Sequence, residues 1–228
     1  MILLVRHGRT EFNDVGRYQG ACDSSLTALG INQARQLGTL VRDLVQGDVM
    51  LWSSPLGRAV ATAEIIKQVA GLSCDLKLND RLREVSLGKW DGLTDEEIED
   101  VSPGACDGAT RFDWFFRSPD GESYELAELR ISDWLDEVAQ LPRCHVAVSH
   151  GLSGRILRGA YSGLPKHDAL RLDVPQDMVL QACRWKLRTL RPVGLSPHPT
   201  LPGSWVSLLS GTLPSLLRQC PKSDAPKG

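Results

Sequence analysis

Arg6 and His7 stand directly behind the apolar run ILLV at residues 2–5, and Gly8 follows them. A buried strand that ends in two polar, ionisable side chains needs a partner there to satisfy them. His150 closes a second apolar run, CHVAVS at 144–149, and is followed by Gly151. Arg58 lies just past a third run, VMLWSS at 49–54. Asn13 falls in the loop after the first run, and Glu84 falls in the stretch RLREVSLGKWDG. Ligands of an open α/β sheet bind beyond the carboxyl ends of its strands, so these groups converge if the runs are strands of one sheet. Two arginines, two histidines and a helix start make an anion trap. Guanidinium forks match phosphate oxygens, backbone N–H groups such as that of Gly151 add donors, and Gly8 lets the chain pass close to a bound oxyanion.

The elements that must position these residues are legible as a pattern. Thr27 caps a helix whose Leu37, Leu40, Val41 and Leu44 repeat at helical spacing. Pro55 is expected at the first position of the next helix, with Gly71 just past its end. Residues 74–78 read as a strand, and Thr94 to Glu97 form a capping-box pattern. Residues 101–121 read as a loop, followed by a long helix with Ile131, Trp134, Leu135 and Val138 on one face. The run at 144–150 is a strand and GLSGRILRGAYSG its following helix. This alternation predicts an α/β fold: a three-layer α/β/α sandwich with a mostly parallel central sheet. Residues 191–228 hold seven prolines and one acid, Asp224, and are expected to form an irregular extension.

Composition narrows the functions. The chain has 228 residues, 42% hydrophobic and 24% charged, with a formal net charge of −2. No basic field argues for nucleic acid or an anionic membrane, and no apolar run is long enough to span a bilayer. The six cysteines are scattered without zinc-ligand spacing, so neither a metal nor a cofactor is expected. A strand begins almost at Met1 with no secretory n-region ahead of it. The expectation is a cytoplasmic protein with reduced thiols, monomeric or a homodimer.

LVRHGRTEFN, SSPLGRAVATAE, LREVSLGKWDG and VSHG, in this order, resemble the histidine phosphatase superfamily, which includes the cofactor-dependent phosphoglycerate mutases. The resemblance spans residues 1–190 as a catalytic domain, with a helical and loop insertion at about 85–140 over the pocket. It implies that His7 attacks phosphorus and becomes phosphohistidine, and that Arg6, Arg58 and His150 hold the phosphoryl oxygens. Asn13 adds a neutral donor, and Gln19 and Gly20 match a loop that faces substrate. Glu84 matches the acid that protonates the departing oxygen and then activates water. The family more often has Glu where Asp91 stands.

The implied function is a metal-independent phosphomonoesterase acting on a small phosphorylated metabolite. The alternatives are a phosphoglycerate mutase, or a weakly active or non-catalytic phospho-ligand-binding protein of the same fold. Read singly, the same residues have plainer explanations. Arg58 could pair with Glu64, and His145 is expected to pack in its strand. His167 and His198 are expected at the surface, and Cys22 as a small buried thiol. The aromatics of RFDWFFRS, 111–118, more readily anchor an insertion than form a wall over the pocket.

Overall fold

The structure, a computed structural model, describes residues 1–183 and 186–192. Most of the proline-rich extension, from residue 193 on, and with it His198, lies outside the described residues. In chain order the elements are β1 (Ile2–Arg6), α1 (Glu11–Asp14), α2 (Ala28–Leu44), β2 (Val49–Ser53), α3 (Gly57–Ala70) and β3 (Leu76–Leu78). There follow α4 (Asp95–Val101), α5 (Tyr124–Ala139), β4 (Cys144–Ser149), α6 (Gly151–Ser162), α7 (Lys166–Ala169), β5 (Val179–Cys183) and β6 (Lys186–Leu190).

The strands form one sheet in the order β3-β2-β4-β1-β5-β6. The first four run parallel, and β5 and β6 are antiparallel additions at one side. Alternation along the strands divides the core. Leu3, Val5, Leu51, Val146 and Val148 face α2 and α3, meeting Leu37, Val41, Ala63 and Ile66. Leu4, Trp52 and Ala147 face the other way, onto Ile131 and Trp134 of α5 and Ile156 of α6. Helices on both faces of a mixed, mostly parallel sheet make the three-layer sandwich.

Thr27 caps α2 through the Gly30 N–H, and Thr94 with Glu97 forms a complete capping box on α4. Three details differ from the sequence reading. α3 begins at Gly57, so Pro55 precedes the helix instead of opening it. β3 covers only Leu76–Leu78 of the expected 74–78. The loop expected at 101–121 carries a 3-10 turn at Trp114–Arg117.

Between Glu84 and α5 the chain folds over the carboxyl end of the sheet around its own small core of Leu87, Trp90 and Ile98, packed by Tyr18, Trp114 and Phe115. Phe112, Phe115 and Phe116 of the aromatic stretch pack against the main core, as an anchoring role requires. His145 lies buried in β4, where Trp52 Nε1 donates to its Nδ1 at 3.1 Å. His167 is exposed beside Asp168. Cys22 is exposed, contrary to the buried thiol expected, because the loop turns its carbonyl inward to Arg58. Cys22, Cys74, Cys106 and Cys144 are all free thiols. Among the described residues no helix is long and apolar enough to cross a membrane.

Candidate active site

β1 and β4 are neighbours in parallel register, with Arg6 opposite Ser149. The His7 N–H extends that pairing by donating to the Ser149 carbonyl at 3.0 Å. Both strands therefore release their histidines at one level, and the rings of His7 and His150 meet at 5.1 Å between centroids. β2, on the far side of β4, leads through Ser54 into α3 and delivers Arg58 to the same end.

His7 is buried, and its Nδ1 lies 2.8 Å from its neighbour's carbonyl, Gly8 O. That bond assigns the proton to Nδ1 and leaves Nε2 with a free lone pair. Burial, followed by the charges of Arg6 and Arg58, holds the ring well below the ordinary histidine pKa, so it is neutral. His150 is held down in the same direction, by burial first and then by His7 and the two arginines. Its Nε2 lies 2.7 Å from Ser54 Oγ. Ser54 Oγ accepts from the Leu56 N–H, and its own proton has no acceptor but Nε2 among the described residues, which places the His150 proton on Nδ1. That Nδ1 is buried without a partner.

The arginines are held by carbonyls and one acid. Arg6 Nη1 donates to the Val174 carbonyl at 2.6 Å, and its guanidinium lies over Gly151. Burial, opposed in part by Glu84, lowers its pKa to about 10, which leaves it charged at neutral pH. Arg58, buried, donates to Cys22 O and Gly20 O and pairs with Asp23 Oδ1 at 3.1 Å. Glu64 is not its partner. The Nε of Arg6 and the Nε of Arg58 are buried with no acceptor. Together with His150 Nδ1 they are three buried donors without acceptors; Arg6 and Arg58 line one cavity with His7, and His150 meets it through the His7 ring.

Glu84 occupies the start of α6. Its Oε2 accepts from the Gly151 and Leu152 N–H groups at 3.0 and 3.1 Å, and its Oε1 from Ser153 N at 2.8 Å and Val85 N at 3.0 Å. The Gly151 N–H expected to meet phosphate is thus held by a carboxylate of the chain itself. Asn13 Oδ1 accepts from Thr10 N and from Gln176 Nε2, which turns its amide nitrogen toward the cavity. Gln19 is buried and bonded to Ser24 Oγ, and Gly20 contributes its carbonyl to Arg58 at a positive φ of 47°. Asp91, at the position where the family more often has Glu, closes the Ser86–Leu87 turn by accepting from Ser86 Oγ and Leu87 N.

Gly8 has a different reason from the one expected. A Cβ there would drive into the Gly30 carbonyl at the start of α2, so the constraint is the packing of two backbones. The cavity enclosed by these groups is about 400 Å³ and is lined by Arg6, His7, Asn13, Gln19, Gly20, Arg58, Glu84 and Gly151 together. Phe115 reaches it as well, so the aromatic stretch supplies part of a wall besides its anchoring role. Sequence reasoning missed Asp23, Ser54, Gln176 and Arg155. Ser54 stood within the quoted SSPLG stretch, whereas the other three carried no local signal.

A neutral buried histidine with a free nitrogen lies beside buried arginine donors at the carboxyl ends of parallel strands in an α/β/α sandwich. The family model for the histidine phosphatase superfamily, branch 1, matches residues 2–190. A protein named probable phosphoglycerate mutase GpmB from Shigella boydii is 38% identical over 75% of this chain and 79% of its own length. The solved mycobacterial glucosyl-3-phosphoglycerate phosphatase is 29% identical, covers 84% of this chain and 97% of that one, and superposes with a TM-score of 0.64. The alpha-ribazole phosphatase of Shigella flexneri shares the fold, with a TM-score of 0.71 at 24% identity over 86% of this chain and 99% of that one. The chain belongs to the histidine phosphatase superfamily, and the general activity of this fold is cleavage of phosphomonoesters.

Proposed function

We propose that the chain is a metal-independent phosphomonoesterase that hydrolyses a small phosphorylated metabolite through a phosphohistidine on His7. The observation that carries this reading is the neutral His7 ring, tied through Nδ1 to Gly8 O, in one cavity with Arg6 and Arg58 and ring to ring with His150, each of the three holding an unused buried donor. His7 Nε2 forms a bond to phosphorus as the ester P–O bond breaks. The three donors take up the charge on the non-bridging oxygens, with the Asn13 amide beside them, so positioning and electrostatics carry the step.

The phosphoryl oxygens compete with Glu84 for the Gly151 N–H. Glu84, displaced from that bond, takes a proton from solvent and gives it to the leaving oxygen. The carboxylate so formed takes a proton from water as that water attacks phosphohistidine, the P–N bond breaks, and inorganic phosphate departs.

The test is phosphate release from p-nitrophenyl phosphate in the presence of a chelator. The parent chain is expected to turn over, and His7→Ala to lose activity by about a thousandfold or more. Turnover that needs a metal, or that survives in His7→Ala, overturns the reading. The mutase reading is favoured by the Shigella boydii relative's name. It predicts interconversion of phosphoglycerates primed by bisphosphoglycerate, with little release of phosphate.

A further inference from the structure

Arg155 lies in the second turn of α6, one turn beyond Gly151, and lines the same cavity as Arg6 and Glu84. Helical side chains lean toward the N-terminus of their helix, which directs this guanidinium back toward the phosphoryl site. Its Nε donates to the Leu172 carbonyl at 2.6 Å and fixes its plane. Its two Nη groups have no acceptor and no ion-pair partner among the described residues.

Three of the arginines around it have acidic partners, whereas Arg6 has only the Val174 carbonyl and serves the first anion. Arg17 forks onto Glu97 at 2.5 and 2.6 Å, and Arg58 pairs with Asp23. Arg158, on the same helix, pairs with Asp173 at 2.9 Å. Burial, and then Arg158, pull the Arg155 pKa down, and Glu84 and Asp173 oppose them in part. A half-buried guanidinium with four free N–H groups and no ion-pair partner of its own carries a desolvation cost. Across the cavity stand Tyr18, Leu87 and Phe115, which offer a leaving group an apolar surface and no charge of their own.

We propose that Arg155 reads a second anionic group on the substrate, a carboxylate or a second phosphate carried on the leaving-group side of the scissile ester. The inference rests on the phosphomonoesterase reading for its first anion. The second group must then lie in the same cavity of about 400 Å³, which suits a short carbon skeleton. A planar fork with both Nη groups free suits bidentate capture of such a group.

The experiment is calorimetric binding to the His7→Ala chain, which removes turnover from the measurement. The ligands are glycerol 3-phosphate, 3-phosphoglycerate and propane-1,3-diol bisphosphate. The two doubly anionic esters are expected to bind about tenfold or more tighter than glycerol 3-phosphate. Adding Arg155→Gln is expected to erase most of that preference, and Arg155→Lys, which keeps the charge without the fork, to retain part of it. The ester that loses more affinity identifies the second group. Equal losses for all three esters would make Arg155 a ligand of the scissile phosphate and overturn the proposal, as would no change in any. If none of the three binds, the phosphate reading of the site fails as well. If glycerol 3-phosphate binds and the preference is absent, only the role of Arg155 fails.

Discussion

His7 and His150 share a buried space with Arg6 and Arg58, so neither ring takes up a second proton there without cost. In the unfolded chain both take protons below about pH 6.5. Unfolding therefore binds protons in acid, and stability is lost as pH falls below about 6.5, by about 1.4 kcal/mol per pH unit for each ring. Urea unfolding at about pH 7.5 and about pH 5.5 measures this, with a lower midpoint expected in acid. A slope that His7→Gln leaves unchanged would show that other groups set the acid limb. At this scale the sequence was readable where a side chain's position follows from a strand end. Arg6, His7 and His150 needed only the rule that strand ends carry the ligands. Asp23, Gln176 and Arg155 were not readable, because each acts through a contact 17 or more residues away in the chain: Asp23 on Arg58, Gln176 on Asn13, Arg155 on Leu172.

The elements place the site by backbone contact as much as by side-chain packing. Gly8 and Gly30 bring the loop after β1 against the start of α2 so closely that a Cβ on either meets a carbonyl oxygen. Gly8→Ala is expected to cost about 1–3 kcal/mol by overpacking, and to weaken activity by shifting His7 next to it. Gly154 supplies the contrast. It lies in α6 with open space where a Cβ would go, so Gly154→Ala should stabilise by about 0.5–1 kcal/mol. Urea midpoints of the two variants on opposite sides of the parent are the expected result, and movement in the same direction would refute the packing account. The helices were legible because caps and apolar spacing are local, as with Thr27 on α2 and Thr94 on α4. β5 and β6 went unread because LQ and LRT interrupt any simple apolar run. Their pairing depends on β1, nearly the whole chain away.

For the whole molecule, the cationic site is a local departure from a chain whose formal net charge is −2. Three buried donors without acceptors, on Arg6, Arg58 and His150, each cost about 1–3 kcal/mol in the unliganded fold. The sheet keeps them converged because β1, β2 and β4 are held by two hydrophobic cores, one on each face. An anion that fills the site recovers that cost, and it binds only the folded chain, where strand ends far apart in sequence are brought together. Inorganic phosphate or vanadate should therefore raise the unfolding temperature. At a hundredfold excess over its dissociation constant the gain is about 2.7 kcal/mol, or several degrees for a chain of this size. Differential scanning fluorimetry at constant ionic strength, with chloride in place of the ligand as the reference, reads the effect. Arg58→Ala should abolish the shift, because it removes one orphaned donor and releases the carbonyls of Gly20 and Cys22 that the guanidinium holds. An equal shift in the parent and in Arg58→Ala would mean that the ion acts elsewhere on the surface, and that the converged donors are not its site.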